Sequence, residues 1–155
     1  MLFRSGIVDE IRAARPQAKL ELSVEGDCTA RIDADRFEQV VSNLLDNAVT
    51  HGEKALPVRV DVISETDTVC LSVQNYGPPI DPAFLPLIFS PFARGETTRG
   101  SSAGLGLGLY VSERIIAAHG GRLSVQSTQQ TGTRFEAVIP RRLPDPAVLA
   151  PSWPA

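Results

Sequence analysis

Apolar residues recur along this chain with two different periods, and the change of period marks the elements. From Phe37, the residues Val40, Val41, Leu44, Leu45 and Ala48 fall at i+3, i+4, i+7, i+8 and i+11, the spacing of one buried helical stripe. Gly52 stands where such a helix stops. Leu20, Leu22 and Val24 instead alternate with Glu21, Ser23 and Glu25, as a half-buried strand requires. The same alternation returns at Val58–Val60–Val62 and at Val69–Leu71–Val73, with a hairpin turn at Glu65-Thr66-Asp67. Arg122 to Thr128 and Thr133 to Ile139 read as two further strands, and Ala30 to Asp33 as a short one. Ile7 to Arg15 and Pro82 to Phe89 read as short helices, and Leu107, Val111, Ile115 and Ala118 form the stripe of a longer one ending at His119-Gly120-Gly121. The sum is an α+β fold, a two-layer α/β sandwich. It has a mixed, mostly antiparallel sheet of about five to six strands, covered on one face by about three helices.

The 155 residues form one domain with enough apolar content (43%) for a sizeable core. Residues 1–140 carry the patterned elements, while 141–155 hold four prolines and read as a disordered tail. A net charge of −3 argues against a nucleic-acid binder, whose footprint is basic. No apolar run approaches the roughly 20 residues of a membrane span, so a cytoplasmic domain without membrane contact is expected. Cys28 and Cys70 form no Cys-x-x-Cys pair, and a reduced core is the expected state, although a disulfide is open on number alone.

Two stretches carry candidate chemistry by themselves. Asn43 and Asn47 lie four apart on one shoulder of the apolar stripe, where two amide oxygens suit a hard cation shared with substrate phosphates; surface amides that tolerate a helix fit the same positions. Ala103-Gly104-Leu105-Gly106-Leu107-Gly108-Leu109 runs from a polar loop into a helix, which suits backbone N–H groups approaching an anion; a flexible glycine turn fits equally. It is neither a dinucleotide fingerprint, since Leu109 stands in place of the third glycine, nor a P-loop, which the chain lacks.

In chain order, Asn43-Leu44-Leu45-Asp46-Asn47, Asn75-Tyr76-Gly77-Pro78-Pro79-Ile80, Phe89-Ser90-Pro91-Phe92, Gly104-Leu105-Gly106-Leu107-Gly108 and Gly132-Thr133 look like five boxes in register. Across Ile7 to Pro140 the chain resembles the ATP-binding catalytic domain of sensor histidine kinases, of the Bergerat fold shared with gyrase, chaperone and mismatch-repair ATPases. The resemblance implies ATP and Mg²⁺ as cofactors, with Asn47 the main metal ligand and Asn43 supporting it directly or through water. It implies that Asn75 faces the adenine amino group, that Thr133 contributes to the same end, and that Gly77 and Ile80 line it. Gly104, Leu105, Gly106, Leu107 and Gly108 would meet the phosphates, and Arg94 would reach them from a lid over Ser90 to Ala103, with Phe89 and Phe92 packed beneath. The implied activity is a protein-histidine kinase in a two-component system. It transfers the γ-phosphoryl group to a histidine on a dimerisation hairpin, with a response regulator downstream.

The sequence also departs from that pattern. Asn75 replaces the usual adenine-binding aspartate, a feature that also resembles the bacteriophytochrome-like branch. Neutral hydrogen bonds net less than charged ones, so ATP is expected to bind about tenfold more weakly than to an aspartate version. Pro79 replaces a second glycine, Leu105 a small polar residue, and Thr50 a common phosphate-directed lysine. His51 and His119 match no phosphoacceptor motif: His119 reads as a helix cap, and His51 ends the asparagine-box helix. The domain is therefore expected to bind ATP as a monomer without autophosphorylating. An anti-sigma-factor-type serine kinase of the same fold and a degenerate, nucleotide-free interaction domain are the alternatives. A hydrolytic ATPase fits less well, because Asn43 stands where those enzymes carry a glutamate base.

Overall fold

The computed structural model describes residues 12–13, 15–91 and 107–142. Five strands among these form one sheet: β1 (Leu20–Glu25), β2 (Val58–Ser64), β3 (Thr68–Asn75), β4 (Arg122–Thr128) and β5 (Gly132–Pro140), in the order β1-β2-β3-β5-β4. β1 and β2 pair in parallel and every other pair is antiparallel. Helix α1 (Ala34–His51) packs over β2 and β3, and helix α2 (Gly108–Ala118) over β4 and β5. The expected two-layer sandwich is present, with two α-helices complete among the described residues.

The α1 stripe drives this arrangement. Phe37, Val40, Leu44, Leu45 and Ala48 are all at most 1% exposed, and they lie against Val60, Val62, Leu71, Val73, Phe135 and Ala137 of the inner sheet face. Asp33 caps the helix by accepting from the Arg36 N–H at 3.0 Å, and the Gly52 N–H closes the other end on the Ala48 carbonyl at 2.8 Å. Arg15 pairs with Asp46 on the outer side of α1.

Three local expectations are corrected. Ala30 to Asp33 is not a strand: the Arg31 N–H reaches the Arg141 carbonyl at 3.1 Å, but Asp33 already serves as the α1 cap and no ladder builds. Pro82 to Phe89 shortens to a 3₁₀ turn at Leu85–Leu87, since Pro86 has no N–H to continue a helix. On α2 the buried face is Ser112, Ile115 and Ile116, while Ala118 is exposed, because the helix packs beside α1 as well as on the sheet. Of the helix expected over Ile7 to Arg15, residues 12 and 13 are helical, and all but these and Arg15 lie outside the described residues.

Contacts reach past Pro140. Arg141 donates to the carbonyls of Thr29 (3.0 Å) and Glu65 (2.9 Å) and to the Ser64 hydroxyl, stitching the β2–β3 turn to the loop after β1. Both cysteines are free thiols. Burial raises the pKa of Cys28 despite the nearby Arg141, and burial helped by Glu136 pushes Cys70 from 9.0 up to about 11.

Two outcomes are expected. Leu44→Ala should lower the unfolding free energy by about 2–5 kcal/mol in denaturant titrations, whereas Val24→Ala, at a position 49% exposed, should change it by less than about 0.5 kcal/mol. At pH 8 a thiol at about 11 holds roughly 100-fold less thiolate than one at 9.0. Native Cys70 should therefore alkylate at least about tenfold more slowly than in the urea-unfolded chain, as followed by mass spectrometry, since the greater nucleophilicity of a high-pKa thiolate offsets part of its scarcity.

Candidate functional site

The inner sheet face is apolar row after row until its last one. Val73, Phe135 and Val125 are paired side by side across β3, β5 and β4; two residues further along, the same strands present Asn75, Thr133 and Ser127. Asn75 is 3% and Thr133 5% exposed. Directly paired residues on one face lie about 5 Å apart, so register alone sets these three polar groups in a line. Ser127 Oγ accepts from the Ile80 N–H at 2.9 Å and shares a proton with Thr133 Oγ1 at 2.7 Å. Ile80 thus acts through its backbone, while its side chain packs on the core. Phe89 stands edge-on to Phe135, ring centres 6.2 Å apart; Phe92 lies outside the described residues.

Glycines make this end possible. Gly132 takes a φ of +71°, and a Cβ there would fall 2.1 Å from the Asn75 carbonyl oxygen. A Cβ on Gly77 would fall 2.6 Å from the His51 carbonyl oxygen, so the turn after β3 lies hard against the end of α1, where the Glu53 N–H bonds the Tyr76 carbonyl.

At the other end of the α1 shoulder, Asn43 Nδ2 donates to the Gly108 carbonyl at 3.1 Å and to Ser112 Oγ at 3.2 Å. Both amide hydrogens are used, which leaves Oδ1 as the acceptor of this amide. Asn47, half-buried, sits one helical turn further along, about 6 Å up the axis. The α2 N-terminus has Leu107 as its cap residue, with no side-chain hydrogen bond and no acidic residue in the first turn. No side chain among the described residues caps its first N–H groups. His119 ties the far end: Nδ1 donates to the Ile115 carbonyl at 2.7 Å while Nε2 accepts from the Asp33 N–H at 3.1 Å, the capping role expected of it. Desolvation lowers the pKa of His51, which favours its neutral form.

The structure therefore brings Asn43 to Gly108 and Asn75 to Thr133 and Ile80, with Asn47, Gly77 and Leu107 on the same connected elements. Arg94, Gly104, Leu105 and Gly106 lie outside the described residues. Ser127 and Ser112 were missed: nothing in the sequence tells a strand serine at the end of a row from any other, and the α2 stripe gave no reason to bury a hydroxyl. A cavity of about 200 Å³ at the β1 edge, lined by Glu21, Leu22, Ser23, Arg59 and Asp61, holds none of these residues.

The family described as "Histidine kinase-, DNA gyrase B-, and HSP90-like ATPase" matches residues 32–143. The chain belongs to this family. As such an ATPase domain it binds ATP, and its relatives and structural neighbours set it among the histidine kinase catalytic domains. A bacteriophytochrome of Pseudomonas aeruginosa is 40% identical over 120 residues, covering 77% of this chain and 16% of that protein. A sensor histidine kinase component, HK1 of Mycobacterium tuberculosis, is 30% identical over 133 residues, covering 86% of this chain and 77% of that protein. The nucleotide-free catalytic domain of histidine kinase ThkA superposes with a TM-score of 0.71 at 26% identity, covering 92% of this chain and 97% of that one. The ATPase domain thus spans about a sixth of the bacteriophytochrome it matches. Among its described residues no helix is long and apolar enough to cross a membrane.

Gly132→Ala should lower stability by more than about 1 kcal/mol, because the native φ excludes a Cβ and the added atom meets the Asn75 carbonyl. A shift in the urea midpoint, read by circular dichroism, checks this.

Proposed function

We propose that this domain binds ATP with Mg²⁺ and presents the γ-phosphoryl group to a histidine on a separate helical hairpin, for onward transfer to a response-regulator aspartate. The observation that carries the reading is the double hydrogen bond from Asn43 to Gly108 and Ser112. It fastens the asparagine-box helix to the start of the helix that follows the glycine run, so groups suited to metal and phosphate stand side by side.

The donor set fits a shared magnesium ion. With Nδ2 of Asn43 engaged, Oδ1 is the atom of this amide that can accept or ligate, and among the described residues no cluster of three acidic, histidine or cysteine side chains offers a self-sufficient metal site. Two neutral amide oxygens hold Mg²⁺ weakly alone and are completed by phosphate oxygens and water. Asn47 would be the principal ligand and Asn43 its support; the ion, once bound, neutralises triphosphate charge. The uncapped N–H groups after Leu107 would meet phosphate, together with Gly104, Leu105, Gly106, Gly108 and, from the lid, Arg94. Asn75, Gly77, Ile80 and Thr133 would hold the base. Positioning and charge neutralisation dominate phosphoryl transfer, and the chain supplies both without a general base on α1.

We take the ATP-binding unit as residues 1–140 with 141–155 outside it, acting in the cytoplasm as a monomer that contacts neither nucleic acid nor membrane. The kinase relatives favour histidine over serine as acceptor. Calorimetric titration with a non-hydrolysable ATP analogue, with and without Mg²⁺, tests the core of the reading. Binding strengthened by Mg²⁺ is expected, and no binding at millimolar analogue would favour the degenerate alternative.

Two outcomes follow from the roles assigned. Asn47→Ala should remove most of the Mg²⁺-dependent gain in affinity while the melting temperature changes little, since the residue is only half-buried. With γ-labelled ATP the chain alone should form no phosphohistidine. Adding a hairpin that carries the acceptor histidine should give an acid-labile, base-stable label on the hairpin.

A further inference from the structure

We infer that the base end of this site accepts 6-oxopurine nucleotides as well as ATP, and that Asn75 is the residue that admits them. The inference rests on the nucleotide-binding reading above. A carboxylate at the end of β3 can only accept hydrogen bonds: it suits the 6-amino group of adenine and repels the lone pairs of a 6-carbonyl. The carboxamide of Asn75 carries one acceptor and two donors. In one orientation Oδ1 accepts from the 6-amino group while Nδ2 donates to ring nitrogen N1. Rotated by half a turn, Nδ2 donates to a 6-carbonyl while Oδ1 accepts from a protonated N1. The two faces are equal in number of hydrogen bonds, and neither leaves a like pair opposed.

Nothing among the described residues around Asn75 chooses between them. Asn75 is 3% exposed, and no side-chain hydrogen bond within the described residues holds either amide atom. The space beside Nδ2 is bounded by Gly52, where an added Cβ would still stand 3.6 Å away. Asn43 is the contrast within the same protein: its Nδ2 is held twice, which locks its amide. The neighbouring hydroxyls are equally reversible. Ser127 Oγ takes the Ile80 N–H, and the Ser127–Thr133 proton can lie on either oxygen. Thr133 can therefore donate to a base or accept from it. The row Asn75–Thr133–Ser127 holds no ionised group to impose a preference.

Inosine triphosphate, which has the 6-carbonyl but lacks the 2-amino group of guanine, is the probe. Titrated against the whole chain with Mg²⁺, it should bind within about tenfold of ATP. In Asn75→Asp, ATP binding should be kept or tightened while inosine triphosphate weakens, moving the ratio of the two affinities toward ATP by at least about tenfold, the cost of opposing a charged acceptor with another acceptor. A wild-type chain that holds ATP but rejects inosine triphosphate by more than about 100-fold overturns the inference. So does a ratio that Asn75→Asp leaves unchanged. The wild-type ratio decides even if the variant folds poorly. Failure of the wild-type chain to bind ATP at all would instead overturn the nucleotide-binding reading on which this rests.

Discussion

Burial of one helix stripe on one sheet face is the constraint from which the site follows. Phe37, Val40, Leu44 and Leu45 of α1 leave no surface to solvent, and such close packing tolerates neither rotation nor sliding of the helix. A turn of α1 by one residue would carry Asn43 and Asn47 from the shoulder into the core or out into water. The polar chemistry therefore borrows its precision from apolar packing.

The sheet contributes in the same way through register. Because side chains alternate between faces, a one-residue slip of β5 against β3 would move Thr133 to the opposite face from Asn75. The left-handed Gly132 at the head of β5 and the tight β2–β3 turn, clasped by Arg141, hold that register from both ends. Three strands then place Asn75, Thr133 and Ser127 together although 58 positions separate the first from the second (133 − 75).

Much of this was legible in the sequence. The α1 stripe and the alternating strands obey local periodicities, and helix and strand limits agreed closely where a stop or turn residue was read, as at Gly52 and Glu65. The five boxes pointed to the family because glycine and asparagine at those spacings have few other uses in common. What stayed hidden depended on partners far along the chain. Ala30 to Asp33 has strand-like alternation, but its last residue was claimed as a helix cap. The α2 stripe was right at Val111 and Ile115 but missed Ser112 and Ile116, because a helix that packs beside another helix and on a sheet buries two directions at once, and one period describes only one. Ser112 and Ser127 gain meaning only when Asn43 and Thr133 are set opposite them.

The two ends of α2 are fastened to α1 at widely separated points, through Asn43 near its start and His119 at its finish. A beam pinned twice can neither pivot nor creep along its neighbour. The helix pair is thus a stiff plate, and any shape change that accompanies arrival or departure of a nucleotide must be absorbed by chain outside that plate.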